Sequence, residues 1–180
     1  MYKLFKVIIL VVVSLMSQAS ILHASNMKGK ELYTQVNMYA LKGNVTWVNY
    51  SAGALIPVNT VVVVRKVYGG ATYTLKDTGQ KLKLKNRKNR SGLTNQQWSE
   101  KHFAETKVDL SRFSKLERDA IASGIVKIGM SKDAVIVSRG YPPAHKTPSL
   151  NLPQWRYWKT RFNTIAVSFD SNNKVSRIKD

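Results

Sequence analysis

An α+β fold follows from three features of the sequence. The first half strings together short β-branched and aromatic runs separated by turn residues. The second half carries capping signatures that open helices. The last stretch returns to alternating apolar residues closed by a tight turn. Together they predict a small N-terminal β-barrel over residues 27–90, followed by a two-helix, three-stranded antiparallel module over residues 94–180.

Residues 1–24 read as a leader outside the fold. Lys3 and Lys6 form a positive start, Val7 to Met16 is apolar except for Ser14, and small residues follow at Ala19 and Ala24. This is the layout of a secretory signal peptide. The apolar run is shorter than the roughly 20 residues needed to span a bilayer. Cleavage after Ala24 would leave a periplasmic or secreted chain.

The β elements come next. Glu31 to Tyr39 is a mixed run, and Asn44 to Tyr50 holds Val45, Trp47, Val48 and Tyr50. Ser51-Ala52-Gly53 turns the chain. Thr60 to Arg65 is an unbroken β-branched run suited to a strand covered on both sides. Gly69-Gly70 marks a hairpin before Ala71 to Lys76, and Asp77-Thr78-Gly79 marks another. In Gln80 to Lys85, Leu82 and Leu84 face one way while Lys81, Lys83 and Lys85 face the other. Five short strands in so few residues suggest a barrel of SH3-like size.

Asn86 to Gly92 is polar and basic and reads as the boundary loop. Thr94 with Gln97, then Ser114 with Glu117, are capping boxes. Behind the second, Leu116, Ala120 and Ile121 share a helical face and Gly124 ends the helix. Ser131 opens a further helix with Asp133 in its first turn. Met130, Ala134 and Val137 line its inner side, and Gly140 before Tyr141-Pro142-Pro143 stops it. Gln154 to Lys159, Thr164 to Phe169 and a strand through Val175 and Ile178 make a meander, with a bulge or twist near its end.

Composition narrows the function. The 180-residue chain carries +19 formal charge, or +17 without Lys3 and Lys6, which favours polyanionic partners. It has no cysteine, which excludes disulfides, thiol catalysis and a lipid-anchored cysteine. Outside the leader the histidines are His102 and His145, far apart, so no paired metal motif is present. No nucleophile elbow or phosphate-binding glycine loop occurs. A non-catalytic protein without cofactor or metal is expected.

The C-terminal half resembles a known pattern. Gly129-Met130-Ser131-Lys132 opens a helix, Gly140-Tyr141-Pro142 turns it, and Trp155-Arg156-Tyr157 forms a strand. Val167-Ser168-Phe169-Asp170 and Lys174-Val175-Ser176-Arg177-Ile178 then form a hairpin. Over about residues 121–179 this is similar to the SmpA/OmlA, or BamE-like, outer-membrane assembly family. The resemblance implies two helices on a three-stranded antiparallel sheet and a scaffolding role in the envelope. Lipoprotein members carry a lipobox cysteine, which this chain lacks, and the N-terminal β region is extra.

Two groups of residues stand out as binding candidates. Lys81, Lys83, Lys85, Arg87, Lys88 and Arg90 place six positive charges in ten residues, a docking stripe for an anionic surface or, in the plainer reading, a lysine-guarded edge strand. Trp155, Tyr157 and Trp158 straddle both faces of their strand, and His145 sits in a proline-bounded loop; these are candidates for partner contact. The expected function is a periplasmic scaffold or accessory protein that binds an envelope protein or an anionic surface such as lipid or lipopolysaccharide. The alternatives are an inhibitor of a secreted enzyme or a peptidoglycan-binding module. Nucleic acid is not an expected partner in that compartment.

Overall fold

A computed structural model describes residues 27–180; the expected leader lies outside the described residues. Within the described residues two sheets and four helices make a mixed α+β fold. The larger sheet is curled and has eight strands: β1 (Glu31–Thr34), β2 (Met38–Leu41), β3 (Asn44–Thr46), β4 (Ala54–Ile56), β5 (Val61–Lys66), β6 (Ala71–Leu75), β7 (Lys81–Lys85) and β8 (Phe103–Ala104). Their order is β4-β2-β3-β7-β6-β5-β1-β8, so β4 and β8 are its ends. All neighbours are antiparallel except β3 and β7, which pair in parallel with Thr46 opposite Lys85.

Where five strands were expected before residue 90, there are seven. Glu31 to Tyr39 is not continuous, because long-range partners take its middle. The Gln35 amide donates to the His102 carbonyl and the Asn37 amide to the Val137 carbonyl. The valine run of β5 is covered fully on one face only: Val62 and Val64 are inaccessible, while Val61 and Val63 are half-buried. Hydrophobic alternation on β7 holds, with Leu82 and Leu84 inside and the three lysines outside.

The polar stretch 86–92 holds a one-turn helix, α1 (Lys88–Ser91), closed by Gly92 at φ 72°. The Asn86 amide group donates to the Leu93 carbonyl and the Ser91 hydroxyl to Asn86 Oδ1, which tie this turn shut. The capping box at Thr94 opens α2 (Asn95–His102). Trp98 and Phe103 enter the core under the larger sheet, so residues 93–104 pack with the N-terminal unit.

The C-terminal unit holds α3 (Lys115–Ser123), α4 (Lys132–Arg139), β9 (Gln154–Trp158), β10 (Thr164–Phe169) and β11 (Val175–Lys179). The sheet is an antiparallel meander in the order β11-β10-β9, with a register shift at Ser168/Phe169. Ala120, Ile121, Ala134, Val135 and Val137 of the helices meet Trp155, Tyr157, Val167 and Val175 of the sheet in a second core. Leu116 departs from its expected inward face and is 43% exposed. Burying each large side chain of that core contributes roughly 1.5–3 kcal/mol.

The two units share a buried polar seam. The Asn37 side-chain amide donates to the Ile121 and Ser138 carbonyls, and its Oδ1 accepts from the Val58 amide. The Asn49 side chain donates to the Asn37 and Arg139 carbonyls and accepts from the Tyr39 amide. Tyr39 reaches across to the Gly124 carbonyl at 2.8 Å.

Candidate functional site

The parallel pairing of β3 with β7 decides what the basic stretch faces. Two parallel strands in register end on the same side, so the chain leaving β3 and the chain leaving β7 emerge together. The Trp47 amide donates to the Lys85 carbonyl and fixes that exit. Residues 46–50 and 85–90 therefore form two walls of one cavity. The third wall comes from the C-terminal unit: His145 from its loop, Trp158 from the end of β9 and Arg161 from the β9–β10 turn.

The loop that carries His145 is held against β9. The Lys146 and Thr147 amides both donate to the Pro143 carbonyl, and Thr147 Oγ1 accepts the Arg156 amide at 3.0 Å. The His145 ring lies 5.2 Å from Trp47 at a tilt of 59°, and 6.4 Å from Trp158 with the planes 16° apart.

The resulting cavity of about 640 Å³ is bounded by Thr46, Trp47, Tyr50, Lys85, Arg87, Arg90, His145, Trp158 and Arg161, over a floor from Val48. No acidic side chain lines it, and among the described residues none of its four lysines and arginines is ion-paired. His145 lies below the usual imidazole range, because of partial burial first and then the charges of Lys146 and Arg90. The ring is neutral near pH 7, and the cationic field comes from lysine and arginine. The indole N–H of Trp158 is buried without an acceptor.

Outward along β7 the same charge continues. Lys81 and Lys83 border a groove with Arg65, Thr72 and Thr74, again without a carboxylate. This strand lies between β3 and β6, paired on both sides. The lysines therefore do not guard a sheet edge, and that reading of them is corrected.

Of the residues singled out from the sequence, Lys85, Arg87, Arg90, His145 and Trp158 meet in the cavity. Lys81 and Lys83 stand beside it on the same face; Lys88 is exposed on α1 and does not line it. Trp155 and Tyr157 are corrected as partner-contact residues. They are 0% and 2% exposed in the C-terminal core, where the Trp155 indole donates to the Leu150 carbonyl and the Tyr157 hydroxyl to the Gly140 carbonyl. Only Trp158 of the three aromatics leaves the core.

Trp47, Tyr50 and Thr46 were not among the candidates. They read as strand residues, and nothing local revealed that the chain would turn there. The usable signal was Trp47 with Tyr50 beside a turn, two large aromatics at the end of a short run.

Among the described residues no cluster of three or more His, Asp or Glu could hold a metal ion, and no helix is long and apolar enough to cross a membrane. No family model, curated protein or solved structure matches the chain.

Proposed function

We propose that this chain is an exported, non-catalytic accessory protein of the cell envelope that docks on an anionic surface through the outer face of β7. One observation carries the reading. Lys81, Lys83 and Lys85 stand along the exposed face of an interior strand, opposite Thr74, Thr72 and Thr46 and with no carboxylate facing them, so their positive field is open to an anion. The surrounding cations Arg65, Arg87 and Arg90 extend the field. The C-terminal unit supports the scaffold part of the reading. Its α3 and α4 pack on a three-stranded antiparallel sheet, the layout that the SmpA/OmlA resemblance implies.

The test is sedimentation with vesicles of phosphatidylglycerol, against vesicles of phosphatidylcholine. The acidic vesicles should capture the protein, and capture should fall as salt is raised from about 0.05 to 0.5 M, where screening shortens to a few ångströms. Each cation near such a surface contributes about 1 kcal/mol. Lys81→Glu with Lys83→Glu should therefore weaken capture by at least about tenfold. Equal capture by neutral vesicles, or no effect of the double reversal, would sink the proposal.

A protein partner is the second reading. Ile125 and Ile128, in the loop between α3 and α4, are 44% and 63% exposed, and an envelope protein docking there would cover them.

A further inference from the structure

We infer that the cavity between the two units binds a phosphorylated saccharide, with the phosphate on the cations and the sugar ring against an indole face. The inference takes from the proposed function only the negative sign of the ligand. Its own support is the chemistry of the lining.

Lys85, Arg87, Arg90 and Arg161 supply charged donors, and no side-chain carboxylate or amide is present. A ligand that fits must bring acceptors in excess, as a phosphate does with its oxygens. The arginines are the better hosts, because a guanidinium fork matches two phosphate oxygens at once. Trp47 and Trp158 add indole surface to the same lining.

The aromatic geometry argues for a sugar over a nucleobase. A base inserted between two faces needs about 7 Å, two van der Waals contacts of roughly 3.5 Å each. The near-parallel pair His145 and Trp158 stands 6.4 Å apart, and Trp47 is tilted by 59° to His145, so neither pair forms a slot for a flat ring. Reading a base edge also calls for acceptors as well as donors, and the side chains here are mostly donors. A pyranose can instead lay one C–H face on a single indole while its phosphate reaches the arginines. A volume of about 640 Å³ accommodates one such unit and falls within the range of ordinary ligand sites.

The experiment is titration of the full protein, followed by calorimetry and tryptophan fluorescence. The probes are glucose 1-phosphate, glucose, inorganic phosphate and AMP. Glucose 1-phosphate should bind at least about tenfold more tightly than glucose and than phosphate. Trp158→Ala should abolish the preference over phosphate, and Arg87→Ala with Arg90→Ala the preference over glucose. The Lys81→Glu, Lys83→Glu double variant should keep the parent's preference for the sugar phosphate over inorganic phosphate. Phosphate binding as tightly as the sugar phosphate, tighter binding of AMP, or indifference to Trp158→Ala overturns the inference. Vesicle capture separates the two proposals. Loss of vesicle capture with the sugar phosphate still bound removes the surface reading alone, and the reverse removes the cavity ligand alone.

Discussion

Glu117 ties three segments together with one carboxylate. It accepts from the Ser114 amide and hydroxyl at the start of α3, from the Ser131 amide at the start of α4, and lies 3.5 Å from Lys174 before β11. Burial alone would raise its pKa. The hydrogen bonds from Ser131 and Ser114 outweigh that and hold it at about 2. His102 behaves differently. Burial pushes it down to about 3 against the opposing bond from its ring to the Trp98 carbonyl, and it stacks on Trp98 at 3.8 Å. Both depressed values make the unfolded chain bind more protons than the folded one, so both cost stability as pH falls. The windows differ. His102 acts from its usual 6.5 down to about 3, and Glu117 from its usual 4.5 down to about 2. Stability should therefore begin to fall near pH 6.5 and fall more steeply below pH 4.5. At neutral pH Glu117 contributes on the order of 3 kcal/mol. Urea unfolding of Glu117→Gln should show a loss of about 2–3 kcal/mol at pH 7 and a shallower fall than the parent's below pH 4.5. A profile parallel to that of the parent would show that Glu117 is not the source.

At the scale of elements, the end of α3 is built around a missing side chain. Gly124 closes the helix at φ 65°, and a Cβ there would stand 2.3 Å from the Tyr39 hydroxyl. Gly124→Ala adds that collision to the ordinary cost of about 1 kcal/mol for a left-handed alanine, so a loss of about 2–4 kcal/mol is expected. Tyr39→Phe removes the hydroxyl and leaves Leu55 Cδ1 at 3.2 Å and the Tyr39 ring at 3.3 Å as the nearest contacts. A double-mutant cycle should then show the pair coupled favourably by about 1 kcal/mol or more. Strictly additive losses would mean that the strand and the helix end do not press on each other. The same strand, β2, illustrates how much of an element was legible. Apolar spacing around Met38 was visible, but the break before it was not, because its cause is the Asn37 and Gln35 amides bonding to residues about a hundred and about seventy positions away. The capping boxes at Thr94 and Ser114 were fully legible, since every partner lies within four residues.

Across the whole molecule, the seam at Asn37 and Asn49 makes the units interdependent. Asn37→Ala would leave the Val58 amide and two carbonyls buried without that partner, at about 1–3 kcal/mol for each group left wholly unsatisfied. A loss of about 3–5 kcal/mol is expected, and the parent should unfold in a single calorimetric transition whose measured and van't Hoff enthalpies agree. Two separable transitions would show that the seam does not couple the units. Arg139 adds to the same junction: its guanidinium is buried between the rings of Tyr39 and Tyr157 at 5.5 and 5.8 Å, with Nε and Nη2 unpartnered.

The sequence by itself determined the α+β class, the starts of α2, α3 and α4, the stops of α3 and α4, the face of β7 that holds its lysines, and the excess of positive charge. Each rests on residues close together in the chain or on composition alone. Only the tertiary structure decided that β7 is interior rather than an edge, that Trp155 and Tyr157 are core while Trp158 is not, and that Trp47, Tyr50 and Arg161 share a cavity with Lys85, Arg87, Arg90 and His145. Those outcomes depend on a parallel pairing between strands some forty residues apart and on a junction between two units. Local periodicity carries no record of either, because it reports which face of an element is apolar and not which element will cover it.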